Sequence, residues 1–485
     1  MLQQIAKNIV SLAFLQILAK VFIYIFIIII TRSLGPELMG VYGYFFNLIM
    51  ILDVLIDYGM TPFMVKAIAQ NREDSRIYFF LPLWIKYALA ILSSSIIGIY
   101  ASFIETDPVK QNIYIEVIFV LFTWPLFNSV ISLFQAYERQ DLYGIAYIFR
   151  NGFLILFTFP LLLLGLSVEA PFIGYALAPL ISALIALVWI YKRFFSTRGR
   201  LLASEITSFT AIKSLVWQGI PFFATAIVTA LYMRIDVIIL SWIRGDFETG
   251  LFKTSQQTLE GLTLFNFVVG NTIFPVLSRI AGAHSDQFKT ILVKSIKFLL
   301  LLGFPVSVLF MAAGKEIISI FYGIEQFSGS VITLQILVWQ YIPFFINYIS
   351  LYALYALDKQ KQVLIINSIG LIFKISLFSL LSTKMGYIGG CWAVVISECV
   401  LTIIYLISTQ KSLHYSFFHS DTARIFIAAV FMFVSTIIVD IFASIWIAVF
   451  AGFIAYGGCI FIFRAISAEE LRSLYTSVFH RKTIE

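Results

Sequence analysis

Charge is scarce in this chain. Asp, Glu, Lys and Arg make up 12% of its 485 residues, against about 25% in an ordinary soluble domain. Cysteine is scarcer still. Cys391, Cys399 and Cys459 all fall inside apolar runs, which excludes a disulfide framework and a cysteine-based metal centre, and no metal or cofactor is expected. The four histidines, His284, His414, His419 and His480, fall in connections or the tail, where they read as solvated side chains. No G-x-x-x-x-G-K phosphate cradle occurs, so the chain is not expected to hydrolyse nucleotide. Long polar connections are missing too, and none exceeds about 25 residues. That leaves no room for a soluble catalytic domain.

Apolar residues are abundant. They make up 60% of the chain, with mean hydropathy +0.95. They come in runs of about 20 residues, the length that crosses a bilayer as a helix. Fourteen such spans are predicted, at 8–31, 41–61, 80–104, 113–135, 146–166, 171–191, 215–242, 250–275, 291–313, 328–357, 363–383, 387–409, 424–443 and 445–466. The first is too long for the apolar part of a cleavable leader. The seventh and tenth are long enough to kink, with Pro221 and Pro343 as the sites. The expected fold class is therefore an all-α polytopic membrane protein.

The net charge of +7 does not point to nucleic acid, because the cations are sorted by loop. With the N-terminus inside, twenty Lys and Arg lie on the inner side. Five lie outside: Arg32, Lys110, Arg244, Lys315 and Lys384. Positive charge retained inside places both termini in the cytoplasm and the protein in the cytoplasmic membrane, among membrane lipids. The aromatics, 49 Phe and 24 Tyr, read mainly as interfacial belts and helix packing.

An internal repeat is visible. TRSLGPELMGVYGYF follows the first span and SWIRGDFETGLFKTS the seventh; FQAYERQDLYG echoes LYALDKQKQV, and PFIGYALA echoes YIGGCWAV. The expected organisation is an N-lobe at 1–205, a C-lobe at 206–412, and two further helices with a cytoplasmic tail at 413–485. Repeats of this kind mark transporters that bind cargo between the halves near mid-membrane.

Charges inside spans are the candidate functional residues, because an unpaired one costs at least about 2.5 kcal/mol at the bilayer centre. Lys86, Glu116, Arg150, Lys253 and Lys374 lie near enough to span ends to snorkel. Lys20, Asp53, Asp57 and Arg234 lie deeper, and Glu398 is also within a span. Asp53 and Asp57 share one helix face; as neighbouring carboxylates they need a proton or a cation, and Lys20 is at similar depth. Arg234 and Asp236, two residues apart, point about 200° from each other. Glu260 on the next span is placed to meet Arg234. Lys20, Arg150, Lys86, Arg234 and Lys253 together suit an anionic cargo, since arginine matches phosphate oxygens bidentately. Asp53, Asp57, Asp236 and Glu260 are their charge partners or ion-coupling groups.

RSLGPELMGVYGYFF, FQAYERQDLYG, MRIDVIILSWI and FYGIEQFSGSVITLQIL resemble stretches of the polysaccharide-biosynthesis flippases, relatives of the lipid II flippase and of the multidrug and toxic-compound extrusion transporters. The resemblance covers the whole chain in order. It implies a monomeric two-lobe transporter, not an enzyme, that alternates access. The cargo would be a polyprenyl-(pyro)phosphate-linked oligosaccharide, moved at the expense of an ion gradient or membrane potential and in company with polymerase or assembly proteins. By this resemblance Lys20 matches a cavity arginine of the lipid II flippase, and Glu260 a second-half acidic residue. The full set of first-helix arginines is not found, which points away from lipid II itself. The competing readings are an organic-cation antiporter of the same fold, a membrane-embedded polymerase or ligase, and a passive scramblase. The antiporter would want an anionic cavity, and the enzyme a large outer loop.

Overall fold

The computed structural model describes residues 2–193, 209–281, 285–413 and 420–465. The four histidines and the tail from 466 lie outside them. Among the described residues the chain is helical throughout, as the membrane demands: in hydrocarbon every backbone N–H and C=O must be satisfied within its own segment. The helices of the first half are α1 (Leu2–Asp57), α2 (Met60–Gln70), α3 (Ser75–Phe103), α4 (Pro108–Ala136), α5 (Gln140–Leu163) and α6 (Glu169–Arg193). They are followed by α7 (Phe209–Arg244), α8 (Asp246–Leu259), α9 (Thr263–Ile280), α10 (Ser285–Ala312), α11 (Gly314–Phe321) and α12 (Ile324–Leu337). The chain continues through α13 (Tyr341–Ala356), α14 (Gln360–Leu413), α15 (Ser420–Asp440) and α16 (Ile445–Ile462).

Among the described residues, twelve stretches are long and apolar enough to cross a membrane. Two of them turn back at a left-handed glycine, Gly35 (φ 70°) in α1 and Gly386 (φ 64°) in α14. Counting each as two brings the twelve to the expected fourteen. Pro36 follows Gly35 at the first position of the new helix, where its missing N–H costs nothing.

Not every boundary follows the apolar runs. The second span ends at Asp57, where Tyr58 (φ 47°) and Gly59 (φ 76°) break the helix before α2 starts. A 3₁₀ turn at Glu260–Leu262 interrupts the eighth span, and another at Val338–Gln340 the tenth. The tenth span therefore breaks just ahead of Pro343 rather than at it.

The repeat is written into the backbone. Gly35 after the first span corresponds to Gly245 (φ 80°) after the seventh. Glu138 (φ 59°) corresponds to Asp358 (φ 57°), two non-glycine residues that end helices in the same way. Arg139 N donates to Phe134 O at 2.8 Å and Lys359 N to Leu354 O at 2.9 Å, the six-to-one bond that closes a helix C-terminus. Packing repeats as well. A Cβ on Gly174 would meet Thr158 and Leu154 of the preceding helix, and one on Gly390 would meet Phe378 and Ser382.

The described residues form two compact units, Met1–Lys253 and Thr254–Glu485. In the first, Met64, Phe79, Phe127, Phe134 and Ala183 are among the side chains of one closed apolar core. Within that unit α1 and α8 cross with no room for a side chain. A Cβ on Gly40 would lie 1.8 Å from the Asp246 carbonyl oxygen, and one on Gly250 would lie 1.7 Å from that of Pro36. Each glycine sits five residues beyond its left-handed partner, Gly35 or Gly245, so the contact is reciprocal between repeat-equivalent positions.

In the second unit the two arms of α14 form a hairpin about Gly386. Tyr405 donates to Asn367 Oδ1 at 2.7 Å, Gln362 to Ser408 at 2.6 Å, and Lys359 to Ser412 at 2.7 Å. Asn367 and Tyr405 are each nineteen residues from Gly386, which fixes the register of the two arms.

Candidate cargo and coupling sites

The first unit gathers charge around the end of α1. Asp57 stands where that helix stops, and its carboxylate acts as a cap for the first turn of α2. Thr61 N donates to it at 3.3 Å and the Thr61 hydroxyl also donates to it. The fully buried Lys86 of α3 reaches the same carboxylate at 2.7 Å and Thr61 Oγ1 at 2.8 Å. Lys86 therefore fills the place that equal depth suggested for Lys20, and it does not snorkel. Lys20 itself is exposed.

One turn before Asp57, Asp53 accepts from Asn128 Nδ2, 3.3 Å from each carboxylate oxygen. Beside it the Arg150 guanidinium lies over Phe127 at 5.4 Å and over Tyr147 at 5.2 Å, and its Nε donates to Asn151 at 3.3 Å. Asn151 in turn ties α5 to α1 through Ala19 O at 2.8 Å. A guanidinium held by aromatic faces keeps its fork of donors, because the cation–π contact uses the plane and not the N–H groups. α1, α3, α4 and α5 thus place two carboxylates, an ammonium and a guanidinium in one polar network.

The remaining candidates of this unit lie elsewhere. Asp236 is buried and accepts from its neighbour's backbone, Val237 N, at 2.9 Å; Arg234 is half-buried. Lys253 is fully buried, its stem against Gly43 and its ammonium 5.4 Å over Phe46. Neither long-stemmed cation of α3 or α8 is at a surface. At the N-terminal end of α4, Lys110 pairs with Asp246 at 2.8 Å, and Ser241 holds that carboxylate at 2.8 Å.

Glu260 belongs to the second unit, in the 3₁₀ turn between α8 and α9. This unit has a polar centre of its own. Asn347 of α13 donates to Glu398 Oε2 at 2.9 Å, and Glu398 and Lys374 are each 4% exposed. Sequence reasoning misses Asn128, Thr61 and Asn347, since a lone amide or hydroxyl in an apolar helix has no pattern. The available signal is position: Asn128 and Asn347 follow Pro125 and Pro343 by three and four residues.

With this geometry in place, the likeness to known proteins is specific. The profile of the family described as "Polysaccharide biosynthesis protein" matches residues 5–281. The chain belongs to this family. A second profile, "Lipid II flippase MurJ", matches residues 256–465. A Shigella dysenteriae protein described as "Putative O-antigen transporter" is 22% identical over 413 residues, covering 84% of this chain and 100% of that one. A protein of the same description from Escherichia coli (strain K12) is 20% identical over 394 residues, 79% of this chain and 91% of its own. Among solved structures, the lipid II flippase MurJ in an inward closed conformation superposes with a TM-score of 0.75 at 16% identity, over 94% of this chain and 98% of that one. An inward-facing multidrug resistance MATE family transporter gives 0.66 at 15%, covering 81% and 94%. The polysaccharide-biosynthesis chain thus shares its fold with both transporter branches.

Proposed function

We propose that this family member is a transporter, not an enzyme, that flips a polyprenyl-(pyro)phosphate-linked oligosaccharide across the cytoplasmic membrane. The observation that carries the reading is Arg150, a guanidinium laid on Phe127 and Tyr147 beside Asp53 and Asn128 inside an apolar helix bundle. Within a family named for polysaccharide biosynthesis, a guanidinium with free donors at mid-helix suits a phosphate head group. The sugar passes through the protein while the prenyl tail stays in lipid. Arg150, Arg234, Lys20 and Lys253 are the proposed head-group contacts. Lys86 neutralises Asp57 and, with Arg150, sets the field at Asp53. Asp53, Asp57, Asp236 and Glu260 are the proposed coupling groups.

Alternating access between lobes 1–205 and 206–412 moves the cargo, with 413–485 as an appendage ending in the cytoplasm. An ion gradient or membrane potential drives it. Polymerase or assembly proteins take the product on the outer side, and the working form is a monomer.

Flipping of a fluorescent undecaprenyl-pyrophosphate-linked oligosaccharide in proteoliposomes tests this. Wild type is expected to translocate it, and Arg150→Ala, Arg234→Ala and Lys20→Ala to fail while remaining folded. Normal flipping by all three sinks the site assignment. Export of organic cations without lipid flipping replaces the reading with the antiporter.

A further inference from the structure

The two arms of α14 are held in one register. Asn367 and Tyr405 are hydrogen-bonded across the hairpin, each nineteen residues from Gly386. Moving seven residues toward the turn on both arms, two helical turns, returns to the same faces. The residues reached are Lys374 on one arm and Glu398 on the other. Both are twelve residues from Gly386, about 18 Å of helix at 1.5 Å per residue. An ammonium and a carboxylate, both buried, therefore share one seam at one depth.

The surroundings are built for more than one protonation state. Asn347 Nδ2 serves the Glu398 carboxylate at 2.9 Å. Yet Asn347 Oδ1, Ser350 Oγ and Ser397 Oγ are buried without a hydrogen-bond partner. A carboxylic acid needs an acceptor for its O–H, and turning the Asn347 amide supplies one. The helices packed against α14 add little other charge. α13 contributes Tyr341, Tyr348, Tyr352 and Tyr355, and α12 only Glu325 near its start. On the hairpin itself, Tyr405, Cys399 and the buried Cys391 are the titratable neighbours, while Lys361 and Lys411 lie toward its open end and Lys384 and Tyr387 beside the Gly386 turn.

We infer that Lys374 and Glu398 form a buried ion pair that takes up one proton on Glu398 and gives it back on the other side of the membrane. The inference rests on the reading of the chain as a driven transporter and names its coupling ion. Hydronium on one side gives up an O–H bond as a Glu398 carboxylate oxygen gains one, leaving water; on the other side the Glu398 O–H breaks and water accepts the proton. The Lys374 ammonium keeps a metal cation out of the seam and also lowers the proton affinity of Glu398, so the proton is taken up only where acid pH or a change of conformation weakens the pair. Protonation turns a neutral pair into a lone buried ammonium, which favours whichever conformation hydrates Lys374. That differential stability is how the proton biases access.

The test uses the full chain in lipid nanodiscs and infrared difference spectra between mildly alkaline and mildly acid pH. Wild type is expected to gain a carboxylic C=O band that Glu398→Gln lacks and that Lys374→Met shows already at neutral pH. If Glu398→Gln does not fold, the neutral double variant Lys374→Met/Glu398→Gln replaces it. A wild type without the band, or a band that survives removal of Glu398, overturns the site. In proteoliposomes carrying the fluorescent pyrophosphate-linked probe, a pH gradient is expected to raise flipping about tenfold, a typical coupling free energy, and Glu398→Gln to lose that stimulation. Flipping indifferent to the gradient overturns coupling through this site. A wild type that moves no lipid overturns the cargo assignment instead, and the infrared band still decides the proton site.

Discussion

Each compact unit has a buried lysine, a carboxylate and an asparagine that follows a helix proline, but they are drawn from different elements. In the first unit Asn128 of α4 serves Asp53 of α1, and Lys86 of α3 neutralises Asp57 one turn on. In the second, Asn347 of α13 serves Glu398 of α14, with Lys374 at the same depth. The asparagine stays near its repeat position while the carboxylate moves from the second span to the twelfth. The backbone has kept the repeat strictly, at Gly35 and Gly245 and at Glu138 and Asp358. Backbone turns set the fold of both halves and tolerate no drift, whereas charge compensation needs only the right groups at one depth. The halves are therefore free to differ in what they bind.

The largest effect is expected where the repeats share one contact. Valine at Gly40 or Gly250 would drive Cβ into a backbone carbonyl that has no flexible end to yield. Either change is expected to cost about 4 kcal/mol or more, seen as loss of monodisperse protein on detergent size exclusion. Gly152→Ala, where a Cβ meets nothing within 4 Å, is the control. Equal behaviour of all three would dissolve the claim that the crossing is built on glycine.

The lysines come next. Removing one member of a buried pair costs about 3–5 kcal/mol, because its partner is left either charged without a counter-ion or forced to take up a proton. Lys86→Met leaves Asp57 with Thr61 and with 22% of its side chain exposed, so the lower end is expected. Lys374→Met leaves Glu398 with Asn347 in a fully enclosed site, and the upper end is expected. Thermal unfolding followed by tryptophan fluorescence ranks them, and Asp57→Asn should restore most of the loss in Lys86→Met. The reverse ranking would mean that Lys374 is not held by Glu398.

The spans were legible because apolar runs and Gly-Pro punctuation are local signals. So was the repeat, whose echoed stretches coincide with matched left-handed residues. The 3₁₀ turns at 260–262 and 338–340 and the short helix α2 were not, since hydropathy continues through all three. The partner of Asp57 differs from the expected one for a geometric reason. Depth is readable from spacing, which suggests Lys20, but the rotation that turns Lys86 inward is set by how α3 packs. Asn128 and Asn347 were invisible because one amide hardly changes a hydropathy profile.

Replacing the two asparagines sharpens the comparison further. Asn128→Leu and Asn347→Leu each leave a carboxylate short of a donor, at about 1–3 kcal/mol. The Asp53 contacts are long, 3.3 Å to both oxygens, and the Glu398 contact is 2.9 Å. Asn347→Leu is therefore expected to be the costlier in thermal unfolding. Equal costs would imply that Asp53 relies on its asparagine as much as Glu398 does.

The smallest predicted effect has the opposite sign. Glu138 and Asp358 occupy left-handed backbone at φ 59° and 57°, a conformation that costs an L-residue about 1–2 kcal/mol. Glycine removes that strain but adds freedom to the unfolded chain, so the net gain is about 0.5–1 kcal/mol. Asp358→Gly should realise it in full. Glu138→Gly also loses the exposed ion pair with Arg72 at 3.5 Å, a contact worth a few tenths of a kcal/mol at most, and should gain slightly less. Both variants are expected to unfold at a higher temperature than wild type, in that order. If either is destabilised, the matched left-handed turns are held by side-chain contacts rather than by backbone hydrogen bonds, and the strict repeat of the backbone has a different cause.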